Sequence, residues 1–419
     1  MNYKNTIVFA QGMDLRDPLK DYRSQFHFPQ KSGKDVLYFC GNSLGLMPKT
    51  TATAVNKELN VWEKEGVLGQ HSRWEAYHEH LTDSTARLVG ANPSEVVVMN
   101  ALTVNLHLLL VSFYQPTKER FKIIIEAGAF SSDQYAVESQ IKFHHLNPVN
   151  TLVELKPRPG EHTLRTDDII QTIDNNRDQV ALVLLSGVQY YTGQFFDIRK
   201  ITEAGHKAGA NVGFDLAHAI GNVPLQLHKD NVDFAVWCSY KYLNSGPGGI
   251  AGVFIHERHK ENKNLPRLAG WWGHDEKERF QMKKGFKPMP GADGWQLSNV
   301  PVLAGASHLA ALKLFEEVGM TSLRKKSLLL TGYLHYLLKL VDANEKYFTV
   351  ITPTDANSRG CQLSILMKKN GKKIFNSLMK DGIFTDWREP NVIRAAPVPL
   401  YTSFEDVYKF SSALSSLLG

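Results

Sequence analysis

The chain has 419 residues, of which 43% are hydrophobic and 21% are charged, the balance of a globular protein with more than one domain. Its 48 basic and 42 acidic residues leave a net charge of only +6, and no long basic stretch favours nucleic acid as a partner. No apolar run is long enough to span a bilayer, so no membrane partner is expected.

The three cysteines, Cys40, Cys238 and Cys361, lie far apart and form no CxxC pair. This pattern argues against a disulfide framework and against a metal site. Residues 1–17 lack the basic-then-apolar order of a secretory signal. We therefore expect a cytoplasmic protein.

From residue 51 to residue 256 the chain alternates between helical and extended hydrophobic patterns. In chain order we predict a helix over 55–66, a strand over 96–99, a helix over 103–113, a strand over 123–126, a helix over 131–142, a strand over 152–155, a helix from 166, a strand over 180–185, a helix over 198–208 and strands over 211–215, 232–239 and 251–256. Strands that alternate with helices predict an α/β fold with a mostly parallel, doubly wound sheet flanked by helices.

The pattern changes after residue 301. Two long helical patterns, 303–318 and 322–340, precede short strands and a last helix that Ser403 can cap. We predict a smaller C-terminal α+β domain. The predicted division is an N-terminal arm contributing to the small domain (1–50), a large domain (51–295) and the C-terminal small domain (296–419).

Two residues that can react follow neighbouring predicted strands. Asp215 ends one strand and Lys241 follows the next, before a glycine-rich turn. Alone, the aspartate could be a helix cap and the lysine a solvated charge. Together they match pyridoxal phosphate, which needs an amine for a Schiff base and an acid beside its pyridine nitrogen. Ligands in such sheets bind at the carboxyl ends of the strands, where both residues are predicted.

A phosphate would need donors near this pair. Thr103 stands where a predicted strand passes into a helix, and free backbone N–H groups there favour an anion, although a plain helix cap fits equally well. Phe130 could stack on a flat ring or simply belong to the core. These residues predict a pyridoxal-phosphate enzyme with the aspartate aminotransferase fold (fold type I).

The chain resembles the kynureninase family over nearly its full length. The matching segments are 41–46 (GNSLGL), 99–106 (MNALTVNL), 130–133 (FSSD), 186–194 (SGVQYYTGQ), 212–219 (VGFDLAHA), 237–244 (WCSYKYLN), 270–274 (GWWGH), 297–299 (LSN) and 393–401 (IRAAPVPLY). The resemblance implies a homodimer that hydrolyses the Cβ–Cγ bond of L-kynurenine or 3-hydroxy-L-kynurenine. The products would be anthranilate, or 3-hydroxyanthranilate, and L-alanine, formed through a gem-diol in tryptophan breakdown or NAD synthesis.

The resemblance also implies roles for individual residues. The catalytic group would comprise Lys241, which holds the cofactor and moves the Cα proton, and Asp215 at the pyridine nitrogen. Tyr240 matches a phosphate-side position of the family; it is our candidate for a proton relay, and phosphate binding alone is its alternative role. Cofactor contacts would come from Leu102, Thr103, Phe130, Ser131, Ser132, Asp133, Ser186, Asp215, His218, Tyr240 and Lys241, and across the dimer from Trp271 and Asn299. Substrate contacts would come from Arg394, which binds the α-carboxylate, and from Ser43, His71, Trp272 and Asn299.

The sequence alone leaves alternatives open for individual site residues and for the function. Arg394 could instead form a buried ion pair with Asp386 or Glu389. The residues around His71 match the family poorly, and Ser131 replaces a common proline.

A cysteine desulfurase of the same fold is a second candidate function, although Cys361 lies in a strand-like pattern rather than in a mobile loop. An inactive scaffold relative is the third, and the presence of Lys241 and Asp215 argues against it.

Overall fold

The computed structural model describes residues 2–260, 262 and 264–418. The helices are α1 Ile7–Leu15, α2 Thr51–Glu65, α3 Val67–Gly69, α4 Glu79–Val89, α5 Leu102–Phe113, α6 Ser131–Phe143, α7 Pro148–Thr151, α8 Thr166–Asn175, α9 Ile198–Lys207, α10 Val302–Val318, α11 Met320–Val341, α12 Gly371–Lys380 and α13 Phe404–Leu418. The strands are β1 Phe26–His27, β2 Gln30–Lys31, β3 Lys34–Asp35, β4 Leu37–Tyr38, β5 Met47–Pro48, β6 Val96–Val98, β7 Lys122–Glu126, β8 Leu152–Leu155, β9 Val180–Ser186, β10 Asn211–Asp215, β11 Phe234–Cys238, β12 Ala251–Ile255, β13 Phe348–Val350, β14 Leu363–Met367, β15 Ile383–Phe384, β16 Asp386–Arg388 and β17 Val392–Ala395.

A seven-stranded sheet with the order β6-β12-β11-β10-β9-β7-β8 forms the centre of the molecule. Strands β11, β10, β9, β7 and β8 are parallel, whereas β12 is antiparallel to both of its neighbours. This confirms the mostly parallel, doubly wound sheet that the sequence predicts.

The central strands are apolar on both faces because helices cover both sides of the sheet. In β7, Ile124 packs into one hydrophobic core, while Ile123 and Ile125 pack into the core on the opposite face. The parallel strands therefore deliver their carboxyl ends to one edge, and the polar residues that follow them meet there.

A four-stranded antiparallel sheet, β13-β14-β17-β16, forms the C-terminal α+β unit. It shares a hydrophobic core with α11, α12 and α13, and Ala10, Met13 and Phe39 of the N-terminal arm belong to the same core. The predicted cap of α13 is confirmed, since Ser403 Oγ accepts from Asp406 N at 3.0 Å.

The domain boundary at residue 296 stays a prediction. Helix α10 lies beyond that boundary, yet it packs against α2 and α4, and its residues Leu312 and Phe315 belong to the core of the large sheet. This packing favours a boundary near Gly319, between α10 and α11. Among the described residues, no helix combines the length and the apolar character needed to cross a membrane.

Candidate active site

A cleft opens at the carboxyl ends of β7, β9, β10 and β11. We call it the central cleft, and the residues that line it are Leu102, Thr103, Glu126, Phe130, Ser132, Asp133, Ser186, Val188, Tyr190, Asp215, Ala217, His218, Tyr240 and Lys241.

The Lys241 amine lies in the central cleft. It is 9% exposed, and its Nζ lies 3.0 Å from His218 Nε2 and 5.6 Å from the centre of the Phe130 ring. Burial holds the pKa of His218 well below its usual range, and the charge of Lys241 lowers it further. A neutral imidazole can accept a hydrogen bond from the ammonium group, which keeps the amine directed into the cleft.

Two buried carboxyls face the lysine. Asp215 ends β10, and its Oδ1 accepts from Ala217 N at 2.7 Å. Burial raises the pKa of Asp215, and the Lys241 charge opposes that shift. Burial and the adjacent Asp215 raise the pKa of Asp133 well above its usual range. Asp133 can therefore stay protonated while Asp215 carries the negative charge that a pyridinium needs.

Two helices begin at the side of the cleft that Thr103 and Ser132 line. The residues before α5 and α6, Ala101 and Phe130, supply no side-chain cap, so N–H groups of both first turns remain free for a ligand. Thr103 Oγ1 and Ser132 Oγ lie 2.7 Å apart between the two helix starts. Ser131 and Ser132, which by residue type could cap α6, lie within its first turn rather than before it. Two helix dipoles and two hydroxyls here form an arrangement that can bind an anion.

The central cleft fits pyridoxal phosphate on these observations. It combines an amine, an acid, an aromatic face and an anion site. Two of its buried atoms, Asp133 Oδ1 and His218 Nδ1, also have no hydrogen-bond partner within the described part of the chain. Unpaired buried polar atoms are costly, and a polar ligand would satisfy them.

Most predicted cofactor contacts come together in the cleft. Those that line it are Leu102, Thr103, Phe130, Ser132, Asp133, Ser186, Asp215, His218, Tyr240 and Lys241. Ser43 does not line the cleft, but its loop is tied to the lysine segment by the hydrogen bond from Gly45 N to Tyr240 O at 2.8 Å. Ser131, the first residue of α6, is exposed.

The remaining predicted residues lie outside the cleft in this single chain. Trp271, His71 and Asn299 are exposed, and His71 Nδ1 pairs with Glu75 Oε1 at 2.6 Å. Trp272 is buried beneath the Arg279 guanidinium, which lies 4.5 Å from the centre of the Trp272 ring. The three exposed residues could reach a cleft from a second subunit, whereas Trp272 could do so only after a rearrangement.

Arg394 in β17 is fully buried. Its Nη1 donates to Tyr190 O at 2.7 Å, and its Nη2 lies 2.7 Å from Asp386 Oδ2. The ion pair with Asp386, one of the alternatives for this arginine, is therefore present. Tyr190 connects it to the central cleft, because the Tyr190 ring packs edge-on against Phe130 at 5.4 Å.

Sequence reasoning missed four lining residues: Glu126, Val188, Tyr190 and Ala217. Val188 and Tyr190 lie in the loop after β9, within the matching segment 186–194, but their residue types alone do not indicate a contact with a ligand. Glu126 could have been found, because it ends a buried strand as Asp215 does.

Comparison with known proteins identifies the family. A model of the kynureninase C-terminal domain matches residues 323–414. The kynureninase of Flavobacterium psychrophilum is 53% identical over 418 residues, 99% of this chain and 98% of that protein. The kynureninase of Myxococcus xanthus is 53% identical over 416 residues, 98% of this chain and 97% of that protein.

A solved structure supports the fold alone. An apo cysteine desulfurase from Thermococcus onnurineus matches with a TM-score of 0.75 and 18% identity, over 91% of this chain and 94% of that one. The fold is that of the pyridoxal-phosphate enzymes of type I. Because the identity to the relatives extends over the whole chain, the chain belongs to the kynureninase family.

Proposed function

We propose that this chain hydrolyses L-kynurenine, or its 3-hydroxy form, to the corresponding anthranilate and L-alanine with pyridoxal 5'-phosphate as cofactor. The observation that carries the proposal is the 53% identity to a kynureninase over 99% of the chain, with Lys241 and Asp215 in one buried cleft. The enzyme is a hydrolase that cleaves a carbon–carbon bond.

The residues of the central cleft would hold the cofactor. Lys241 would bind it covalently, Phe130 would cover its ring, and Asp215 would keep a proton at the pyridine nitrogen. The phosphate would lie at the starts of α5 and α6, beside Thr103 and Ser132. Bound in this way, the cofactor supplies an electron sink for the bonds at the substrate Cα.

The protein supplies proton transfer. Once the substrate amine has taken the place of Lys241, the released amine would accept the Cα proton. Water adds to the side-chain carbonyl, and when the Cβ–Cγ bond breaks the electron pair stays on Cβ, which then needs a proton. Tyr240 is the proposed proton relay: its ring centre lies 5.9 Å from Lys241 Nζ, and burial raises its pKa, so the phenol keeps its proton.

We propose that Arg394 binds the α-carboxylate. The guanidinium belongs to a cluster of two arginines and one aspartate. Asp386 Oδ2 lies 2.7 Å from Arg394 Nη2 and 3.4 Å from Arg388 Nη2. Arg394 Nε has no hydrogen-bond partner in the part of the chain that the structure describes. The cluster therefore carries one uncompensated positive charge and a free donor, which suits a carboxylate.

We also propose a homodimer in the cytoplasm. In this single chain Trp271, Asn299 and His71 are exposed rather than in the cleft, as expected if a second subunit brings them to it. Leu268, Trp271, Phe280 and Met282 form an exposed apolar segment, 47–75% exposed, that would be covered in a dimer. All three cysteines are free thiols, in keeping with a reducing compartment.

The cysteine desulfurase alternative lacks a reactive thiol. Burial raises the pKa of Cys40 and of Cys361 to about 12, and it also raises the pKa of Cys238. Desulfuration needs a thiolate, which these three residues do not provide near neutral pH.

Separate incubations of the purified protein with L-kynurenine and with L-cysteine test the proposal. We expect fluorescent anthranilate and L-alanine in equal amounts from the first and no sulfide from the second. Sulfide release without anthranilate would favour the desulfurase. Cofactor binding without any product would favour the inactive relative.

A further inference from the structure

Glu126 is a buried acid to which the proposed reaction gives no role. It ends β7, is 2% exposed, and lines the central cleft. It also lines a second cleft, whose walls include Gly128, His162, Gln189 and Tyr190. Glu126 therefore borders both clefts.

The contact between Glu126 and Ser186 couples this acid to the central cleft. Ser186 N donates to Glu126 Oε2 at 3.1 Å, and Ser186 Oγ donates to Glu126 Oε1 at 2.5 Å. A serine hydroxyl has one proton, so while Glu126 is ionised the hydroxyl offers only lone pairs to the cleft. A protonated Glu126 could itself donate to Ser186 Oγ, and the serine O–H would then be free to donate into the cleft.

Both states of Glu126 can be populated near neutral pH. Burial raises the pKa of Glu126 to about 7, the Asp215 charge adds to the shift, and the two bonds from Ser186 oppose it. Other charged or titratable groups line the two clefts with it. They are Asp133, Asp215, His218, Tyr240 and Lys241 in the central cleft, His162, Tyr191 and Glu389 in the second, and Tyr190 in both.

We propose that Glu126 is a positioning residue which decides, through the direction of the Ser186 hydroxyl, whether the central cleft offers the cofactor a hydrogen-bond donor or an acceptor. The inference rests on the proposed function, because it assumes that pyridoxal phosphate binds in the central cleft. It predicts that one group, Glu126, controls the pH dependence of cofactor binding.

The test measures the dissociation constant of pyridoxal phosphate and the absorption spectrum of the bound cofactor from about pH 6 to about pH 8. One hydrogen bond gained or lost corresponds to a change of about tenfold in affinity. We expect a single step with a midpoint near 7 in the wild type. Glu126→Gln should remove the step, and so should Ser186→Ala, which keeps the acid but breaks the relay. Ser186→Thr keeps the hydroxyl and should keep the step.

Each outcome decides the matter. A step that persists in Ser186→Ala would show that Glu126 acts on the cofactor directly by its charge, and the relay would be wrong. A step that persists in Glu126→Gln, or a wild type without a step, would also overturn the inference. If Glu126→Gln does not fold, the two serine variants alone decide. A wild type that binds no pyridoxal phosphate would instead overturn the proposed function.

Discussion

The substitution Arg394→Lys separates a substrate contact from a structural ion pair. The backbone register of β16 and β17 places Asp386 opposite Arg394, and the guanidinium meets both Asp386 Oδ2 and Tyr190 O at 2.7 Å. A lysine keeps the charge but has a single nitrogen in place of a planar fork. It can satisfy one of these partners well, and it cannot also bind a substrate carboxylate at two points.

The expected losses follow from these contacts. A charge-assisted hydrogen bond is worth about 1.5–3 kcal/mol, so losing one to the substrate should raise KM by roughly 10- to 150-fold. Leaving the buried Tyr190 carbonyl without a donor should lower the free energy of unfolding by about 1–3 kcal/mol. We expect kcat to change much less than KM, because Lys241 and Asp215 keep their positions.

Steady-state kinetics with L-kynurenine give KM, and denaturant unfolding of the same samples gives the free energy of unfolding. Arg388→Lys is the matched control, since its side chain is 36% exposed and lies 3.4 Å from the same carboxylate oxygen. A partly exposed pair contributes about 0–1 kcal/mol, so we expect small changes in both quantities. Lower stability of Arg394→Lys with an unchanged KM would refute the reasoning and make Arg394 purely structural.

Three other substitutions test separate parts of the account. Asp215→Asn should reduce kcat by roughly 10²–10³-fold, as removal of a charge-stabilising group typically does, while the protein still binds cofactor; near wild-type turnover would contradict its role. Gly45→Ala should lower stability by about 1–3 kcal/mol and weaken cofactor retention, because the new Cβ would lie 2.4 Å from Lys241 O. Its control, Gly12→Ala in α1, meets nothing closer than 3.8 Å and should be neutral or stabilising, so equal losses in both would show that the contact is unimportant. Trp271→Asp should shift sedimentation toward a monomer and weaken cofactor binding together, and a stable dimer with full binding would contradict the proposed interface.

Much of this site could be predicted from the sequence because parallel strands place their carboxyl ends at one edge. Asp215 ends a strand and Lys241 follows the next, so the alternation of elements was enough to bring them together. Glu126 also ends a strand at this edge. It was not predicted as a site residue because no second residue near it in the sequence indicated a ligand.

Other features depend on tertiary contacts that local patterns do not contain. Ser132 looks like a helix cap by its residue type, yet its hydroxyl meets Thr103, 29 residues earlier, because α5 and α6 begin side by side. The long pattern at 303–318 correctly predicted a helix, but its amphipathic face does not say which core it covers. Arg394 required an anion, and only the strand register selected Asp386 over Glu389.

Borohydride reduction of the protein loaded with pyridoxal phosphate tests the central claim, that the central cleft binds the cofactor on Lys241. Peptide mapping by mass spectrometry should find the reduced adduct on the peptide that contains Lys241. Lys241→Ala should give no adduct there and should lose the visible absorption band. An adduct on another lysine in the wild type, with turnover retained in Lys241→Ala, would contradict the account.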